Sequence, residues 1–259
     1  KASAHYLLQA PYRSLRKKQK HFQEIGKLAN DIYNKQNRFY NLDVLRQALT
    51  PSWLTFKFKR TFWDRSRVLI VGDGFGTFTS LLLAIFPKLQ VIIINLSKIL
   101  LVDLAYIQIA LPIIKPTLEK NEEGLTHDLA QNKNILIAFS ASNNHLIHGL
   151  NIALSVNIAS MQEMNYNNIK QYFNLIRSSK SEAIYFYCCN RAEKTLYDGS
   201  VIRFEDYPWD ADDVILQDEV PSWHMKYYSL RPPFYFNYDV IHRHRLVKLK
   251  PLETIKLKE

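Results

Sequence analysis

Glycine is scarce in this chain: there are seven in 259 residues. Cysteine is scarcer. The only two, Cys188 and Cys189, are adjacent in an apolar run, so no disulfide can staple distant segments together. They read as reduced thiols in a strand and point to a reducing compartment, with a cytoplasmic location as the expectation. No apolar run is long enough to span a bilayer: the longest, Val91–Ile94 and then Ile99–Leu104, is broken by Asn95, Ser97, Lys98 and Asp103. No segment reads as a secretory leader. Acidic residues are few at the start. Residues 1–67 hold 15 Lys and Arg against 4 Asp and Glu, whereas the remainder is nearly balanced at −1. That surplus marks either a solvated helical face or a surface for nucleic acid, acidic glycan or anionic membrane.

Against this scarcity, three glycines stand within five residues, Gly72-Asp73-Gly74-Phe75-Gly76. They follow the apolar run Val68–Val71 and precede the helical stretch Thr77–Phe86. Glycine permits positive φ and lets the main chain approach a ligand. Strand, glycine turn and helix N-terminus together make a cradle for a nucleotide-like cofactor. Dinucleotide-binding domains space these glycines G-x-G-x-x-G; the spacing here, G-x-G-x-G, is the form found with S-adenosylmethionine.

The chain divides into a helical prelude, an αβ core and a β-rich tail. Apolar spacing predicts an amphipathic helix over 14–36 and a shorter one over 42–49 that stops at Pro51. The aromatic stretch 53–58 is either extended or a helix docked on the core. Continuous apolar runs at Val68–Val71, Val91–Ile94, Ile135–Phe139, Ile152–Val156 and Ala183–Cys189 suit strands covered on both faces. Helices fit between them at Thr77–Phe86, Ile99–Ile109 and Asn167–Ser178. The tail, from Pro233 to Leu249, reads as a closing antiparallel pair. The expectation is one basic helical extension or cap over 1–66 and one α/β domain over 67–259, its sheet mostly parallel with an antiparallel closing strand.

Two expected carboxylates are missing. An acid at the end of the second strand usually takes the ribose hydroxyls; here Asn95 stands there, able to accept through its carbonyl oxygen but uncharged. The position two before the first glycine, also commonly acidic, is Ile70. Asp73 inside the turn is placed to restore some of that charge. After the fourth strand comes Asn157–Met164, at the sheet edge where α/β proteins bind ligands. In it Glu163 is either a general base or an acid stabilised by the dipole of the following helix. His145 with His148, and His242 with His244, have spacings that could hold a metal, but no further ligand completes either set, and no metal is expected.

Taken together, Val68–Gly76, Ile93–Leu96, Asn157–Met164, Tyr187–Arg191 and Phe204–Trp209 resemble the bacterial sugar O-methyltransferases, within the class that uses S-adenosylmethionine. Asn190-Arg191 and Tyr207-Pro208-Trp209 are the most distinctive pieces, and the resemblance covers residues 65–225. It implies a Rossmann-like methyltransferase sheet, S-adenosylmethionine as cofactor, and methyl transfer to a hydroxyl of a sugar or glycan. On this reading Gly72, Asp73, Gly74, Gly76, Asn95, Leu96, Asn157 and Ser160 hold the cofactor. Arg191, Tyr207 and Trp209 hold the sugar, and Glu163, His224 or Asp206 takes the proton. Two other readings stay open: a methyltransferase fold that has lost its cofactor, and a nucleic-acid methyltransferase docking through its basic start.

Overall fold

The computed structural model describes residues 2–15, 21–131 and 136–252. Of the predicted helix over 14–36, only Phe22–Lys35 is α-helical among the described residues, and His21 before it is left-handed; residues 16–20 of that range, and Ile135 of the third apolar run, lie outside the described residues. The helices are α1 (Ala2–Leu8), α2 (Ala10–Arg13), α3 (Phe22–Lys35), α4 (Leu42–Lys57), α5 (Arg60–Trp63), α6 (Thr77–Ile85), α7 (Ser97–Ala110), α8 (Glu122–Gln131) and α9 (Tyr166–Arg177). The main sheet has eight strands. In chain order these are β1 (Arg67–Val71), β2 (Gln90–Asn95), β3 (Thr117–Leu118), β4 (Leu136–Ser140), β5 (Leu154–Ile158), β6 (Ile184–Arg191), β9 (Val214–Glu219) and β12 (His242–Leu249). Two small hairpins supply the rest: β7 (Glu193–Thr195) with β8 (Val201–Arg203), and β10 (Lys226–Tyr228) with β11 (Tyr235–Asn237).

Across the main sheet the order is β3-β4-β2-β1-β5-β6-β12-β9. All neighbours from β3 to β6 are parallel, and β12 runs antiparallel to both β6 and β9. The α/β sheet with an antiparallel closing strand is therefore present. The chain reverses strand order at β1, so the ends of β1 and β5 part there and leave the crevice where such sheets bind ligands.

The continuous apolar runs follow from double coverage. Leu69 and Val71 of β1 point into one buried core with Ile92 and Ile94 of β2 and with Ile169, Phe173 and Ile176 of α9. Val68, Ile70, Val91 and Ile93 point into the other, against Phe78 and Leu82 of α6 and Leu100 and Ile107 of α7. A third core joins α3 and α4 to Leu81 of α6, Ala110 of α7 and Trp223.

Three expectations need correction. The helix at Leu42 does not stop at Pro51. It runs to Lys57, with Asn41 as N-cap accepting from the Val44 N–H at 3.1 Å. Pro51 forfeits one backbone hydrogen bond, but Leu49, Leu54 and Pro51 itself are buried, and that packing outweighs the loss. The stretch 53–58 is thus mainly the end of this helix. The closing pair is not formed within the tail: β12 closes on β6 and β9, while Tyr235–Asn237 pairs with Lys226–Tyr228 in a separate hairpin. The fourth long strand begins and ends two residues later than its apolar run, which places Asn157 inside it. Among the described residues, no helix is long and apolar enough to cross a membrane.

Candidate active site

Gly72, Gly74 and Gly76 all have positive φ, at 73°, 64° and 59°, and each is glycine for a different reason. A Cβ on Gly72 would meet the Ser160 hydroxyl oxygen at 2.5 Å. One on Gly76 would meet the Ile107 side chain, and the Asp103 carbonyl oxygen at 2.6 Å. A Cβ on Gly74 would meet nothing within 4 Å, because this residue faces an open cleft. Gly72 and Gly76 close the turn onto the segment after β5 and onto α7; Gly74 presents bare backbone to the cleft. Phe75 also takes the left-handed conformation, at φ 65°. Its ring is held between the Arg38 guanidinium, 4.2 Å from its centroid, and Tyr106.

The cleft has a volume of about 960 Å³, at the upper end of the roughly 300–1,000 Å³ typical of small-molecule and cofactor sites. Its floor is the carboxyl edge of the sheet: Gly72, Asp73, Gly74, Asn95, Leu96, Ala141 and Ser160. One wall comes from α4, through Asp43, Arg46, Gln47 and Thr50. Others are Glu163, the tip of the β7–β8 hairpin at Leu196–Asp198, and His224.

Asp103 of α7 organises the turn. Fully buried, it accepts the Gly76 N–H at 3.2 Å through one oxygen and the Asn95 side-chain amide at 2.8 Å through the other. Sequence reasoning did not single it out, although a lone acid in the apolar helix Ser97–Ala110 was a usable signal. Asn95 in turn accepts the Leu96 N–H at 2.9 Å, so one of its two amide N–H donors serves Asp103 and its carbonyl oxygen keeps spare acceptor capacity.

Asp73 does not offer its charge to the cleft as expected. Its two oxygens accept the N–H groups of Phe78 and Thr79, at 2.9 and 2.7 Å, and so cap α6. Burial, and then the neighbouring Asp103 carboxylate, push the Asp73 carboxyl up to about 7. A carboxyl that holds its proton more tightly folded than unfolded stabilises the fold at low pH, and loses that contribution as pH rises through the folded value. That contribution alone declines between about pH 4 and about 7, whereas the buried rings of His224 and His242, whose basicity is lowered, contribute in the opposite sense over the same range. In thermal scans the wild type should lose stability relative to Asp73→Asn as pH rises through that range, and a difference that does not change with pH would remove Asp73 as its source. Ile70 is buried in the apolar core with Phe78 and Val156, where a carboxylate would have no partner.

Beneath the turn lies a polar network. Asn157 is fully buried and donates to the Val71 carbonyl at 2.8 Å; its own oxygen accepts from Met161 N–H and from the Asn190 amide. Ser160 also donates to the Val71 carbonyl, at 2.7 Å. Gln162 accepts the Arg191 N–H at 2.8 Å. These side chains lock the ends of β1, β5 and β6 together. Asn157 thus supports the cleft from below and does not line it.

Of the proton-acceptor candidates, the cleft brings two together and omits one. Glu163 lines it, half exposed, with the Lys194 ammonium 3.6 Å away. His224 lines it and is 92% covered, its ring stacked on His242 at 4.8 Å. Burial first, then the charge of Arg46, depress its basicity well below that of a free imidazole, so the ring is neutral at neutral pH. Asp206 is exposed and lies outside the cleft. The expected sugar platform is also displaced. Tyr207 is buried in the core against Phe173 and Phe204, and Trp209 packs on the same rings while its indole N–H donates to the Phe204 carbonyl. Arg191 lies in a smaller adjoining cleft. His145 and His148 are exposed, and His244 is held between the Tyr187 hydroxyl and Glu219.

No protein-family profile and no curated protein matches the chain. Solved structures do. A candidate sarcosine dimethylglycine methyltransferase from Galdieria sulphuraria is similar over 80% of this chain and 88% of its own, with TM-score 0.50 and 11% sequence identity. A protein from Thermoplasma acidophilum is similar over 87% and 97%, with TM-score 0.49 and 9% identity. A candidate RNA methyltransferase from Pyrococcus horikoshii is similar over 82% and 84%, with TM-score 0.46 and 10% identity. The first of these likenesses, with the strand order above, establishes the fold: a Rossmann-like, mostly parallel α/β sheet with an antiparallel strand, as in that methyltransferase structure.

Proposed function

We propose that this protein is an S-adenosylmethionine-dependent O-methyltransferase acting on a hydroxyl of a sugar or glycan. The observation that carries the reading is Gly74, left-handed and open, facing a cleft that also holds a buried neutral imidazole. The cradle fits the cofactor in shape. The backbone at Gly72–Gly74 would take its amino-acid end, and the Asn95 carbonyl oxygen with Leu96 its ribose and base. When bound, the cofactor supplies an electrophilic methyl group on a sulfonium.

A sugar hydroxyl is a weak nucleophile and must lose its proton as the new bond forms. His224 is the base in this reading, its ring nitrogen unprotonated at neutral pH. Glu163, solvated and beside Lys194, serves to orient the acceptor. α4 forms one wall through Thr50, Gln47 and Arg46, which supports residues 1–66 as a cap over the site. The free, buried thiols of Cys188 and Cys189 fit a cytoplasmic setting.

Titration with S-adenosylhomocysteine in a thermal-shift assay tests the cofactor. A ligand at a hundred times its dissociation constant adds about 2.7 kcal/mol of stability, and the melting temperature must rise. A second reading, a fold that no longer takes the cofactor, draws on Asn95, whose side-chain amide donates to Asp103, and on the core placement of Ile70. A flat titration would favour it. The nucleic-acid reading finds less support: Arg46 is the one Lys or Arg lining the cleft among the described residues, and its guanidinium already donates to Trp223 and Lys226 carbonyls.

A further inference from the structure

Beside the main cleft lies a second one of about 410 Å³, and Asp43 and Arg46 line both. Its distinctive wall is aromatic. Tyr227 stacks on Phe236 with centroids 5.2 Å apart and planes at 14°, and Tyr238 leans on Tyr227 at 5.1 Å. The Arg46 guanidinium, tethered by its own hydrogen bonds, lies 5.2 Å from the Tyr238 ring. The rings are therefore held by one another and by a fixed cation before any ligand arrives.

Two charged side chains complete the wall. Arg191 stands at the end of β6, its backbone N–H fixed by Gln162, yet its guanidinium has no hydrogen bond or ion pair among the described residues. Asp239, exposed on the rim, is likewise without a partner among them. One free fork of donors and one free pair of acceptors, of opposite charge, do not select an anion. They suit a neutral ligand carrying many hydroxyls, each able to donate and accept. Flat amphipathic rings suit the C–H face of a pyranose.

We propose that the second cleft is a saccharide subsite that seats the sugar unit adjoining the one to be methylated, so that the acceptor is an oligosaccharide rather than a free monosaccharide. The shared lining by Asp43 and Arg46 sets the two clefts side by side, as neighbouring units of one sugar chain require. This inference rests on the sugar reading above.

A defined array of mono-, di- and oligosaccharides, neutral and acidic, tests it with the full chain, Arg191→Gln and Tyr238→Ala. The wild type is expected to retain oligosaccharides at least tenfold more tightly than their component monosaccharides. Both variants should lose that preference while melting cooperatively and binding S-adenosylhomocysteine as the wild type does. Retention of monosaccharides and oligosaccharides alike, or oligosaccharide binding unchanged in both variants, would overturn the subsite and leave the sugar reading standing. Retention of no glycan at all would overturn both.

Discussion

Gly74→Arg is expected to abolish S-adenosylhomocysteine binding in calorimetry while the protein stays folded. The residue faces the cleft, and a Cβ there meets no protein atom within 4 Å, so the added side chain fills ligand space alone. The remaining cost is the left-handed backbone, about 1–2 kcal/mol for a residue other than glycine. That is small against the roughly 5–15 kcal/mol that holds a typical domain together. Gly76→Val is the informative contrast. Its Cβ would press on the Asp103 carbonyl at 2.6 Å, and main chain cannot swing aside as a side chain can. This variant should lose several degrees of melting temperature before any question of binding arises. Unchanged binding in a folded Gly74→Arg protein would move the cofactor elsewhere.

His224→Gln should lower kcat by about 10²–10⁴-fold, the usual contribution of a positioned general base. Binding of S-adenosylhomocysteine should be unaffected. The assay is methyl transfer to whichever glycan the wild type retains. Glutamine keeps much of the size and polarity but cannot take up the proton. The pH profile gives an independent reading. A base acts only where it is unprotonated, and burial holds this imidazole well below its ordinary value of 6.5. The wild-type rate should therefore stay level through the neutral range and fall only on strong acidification. A Glu163→Gln variant that is dead beside a His224→Gln variant that is active would exchange the two roles.

The sheet was legible in the sequence because strands buried on both faces leave unbroken apolar runs. Those of β1 and β2 supply two cores with alternate residues. The glycine turn was legible because so little glycine occurs elsewhere. What escaped notice depends on partners far along the chain. β9 carries Val214, Ile215 and Leu216 exposed at a sheet edge, so neither alternation nor burial marks it as a strand. Pro51 reads as a stop, since nothing local announces the core that holds α4 together beyond it. Tyr207 and Trp209 looked like a sugar platform because aromatic residues read alike in a core and in a cleft. His224 is a proton-acceptor candidate in the sequence, but its burial, its stacking on His242 and the charge of Arg46, on a helix far back in the chain, are not visible there.

That Arg46 contact also bears on how the protein is made. Its guanidinium joins α4 to the carbonyls of Trp223 and Lys226, across 177 and 180 residues of sequence. On the ribosome, the first wall of the cleft emerges long before the groups that anchor it. The cleft gains this anchor only after residues 223–226 have been translated. A chain ending before residue 223 lacks both His224 and the carbonyls that fix Arg46, two parts of the wall of the main cleft.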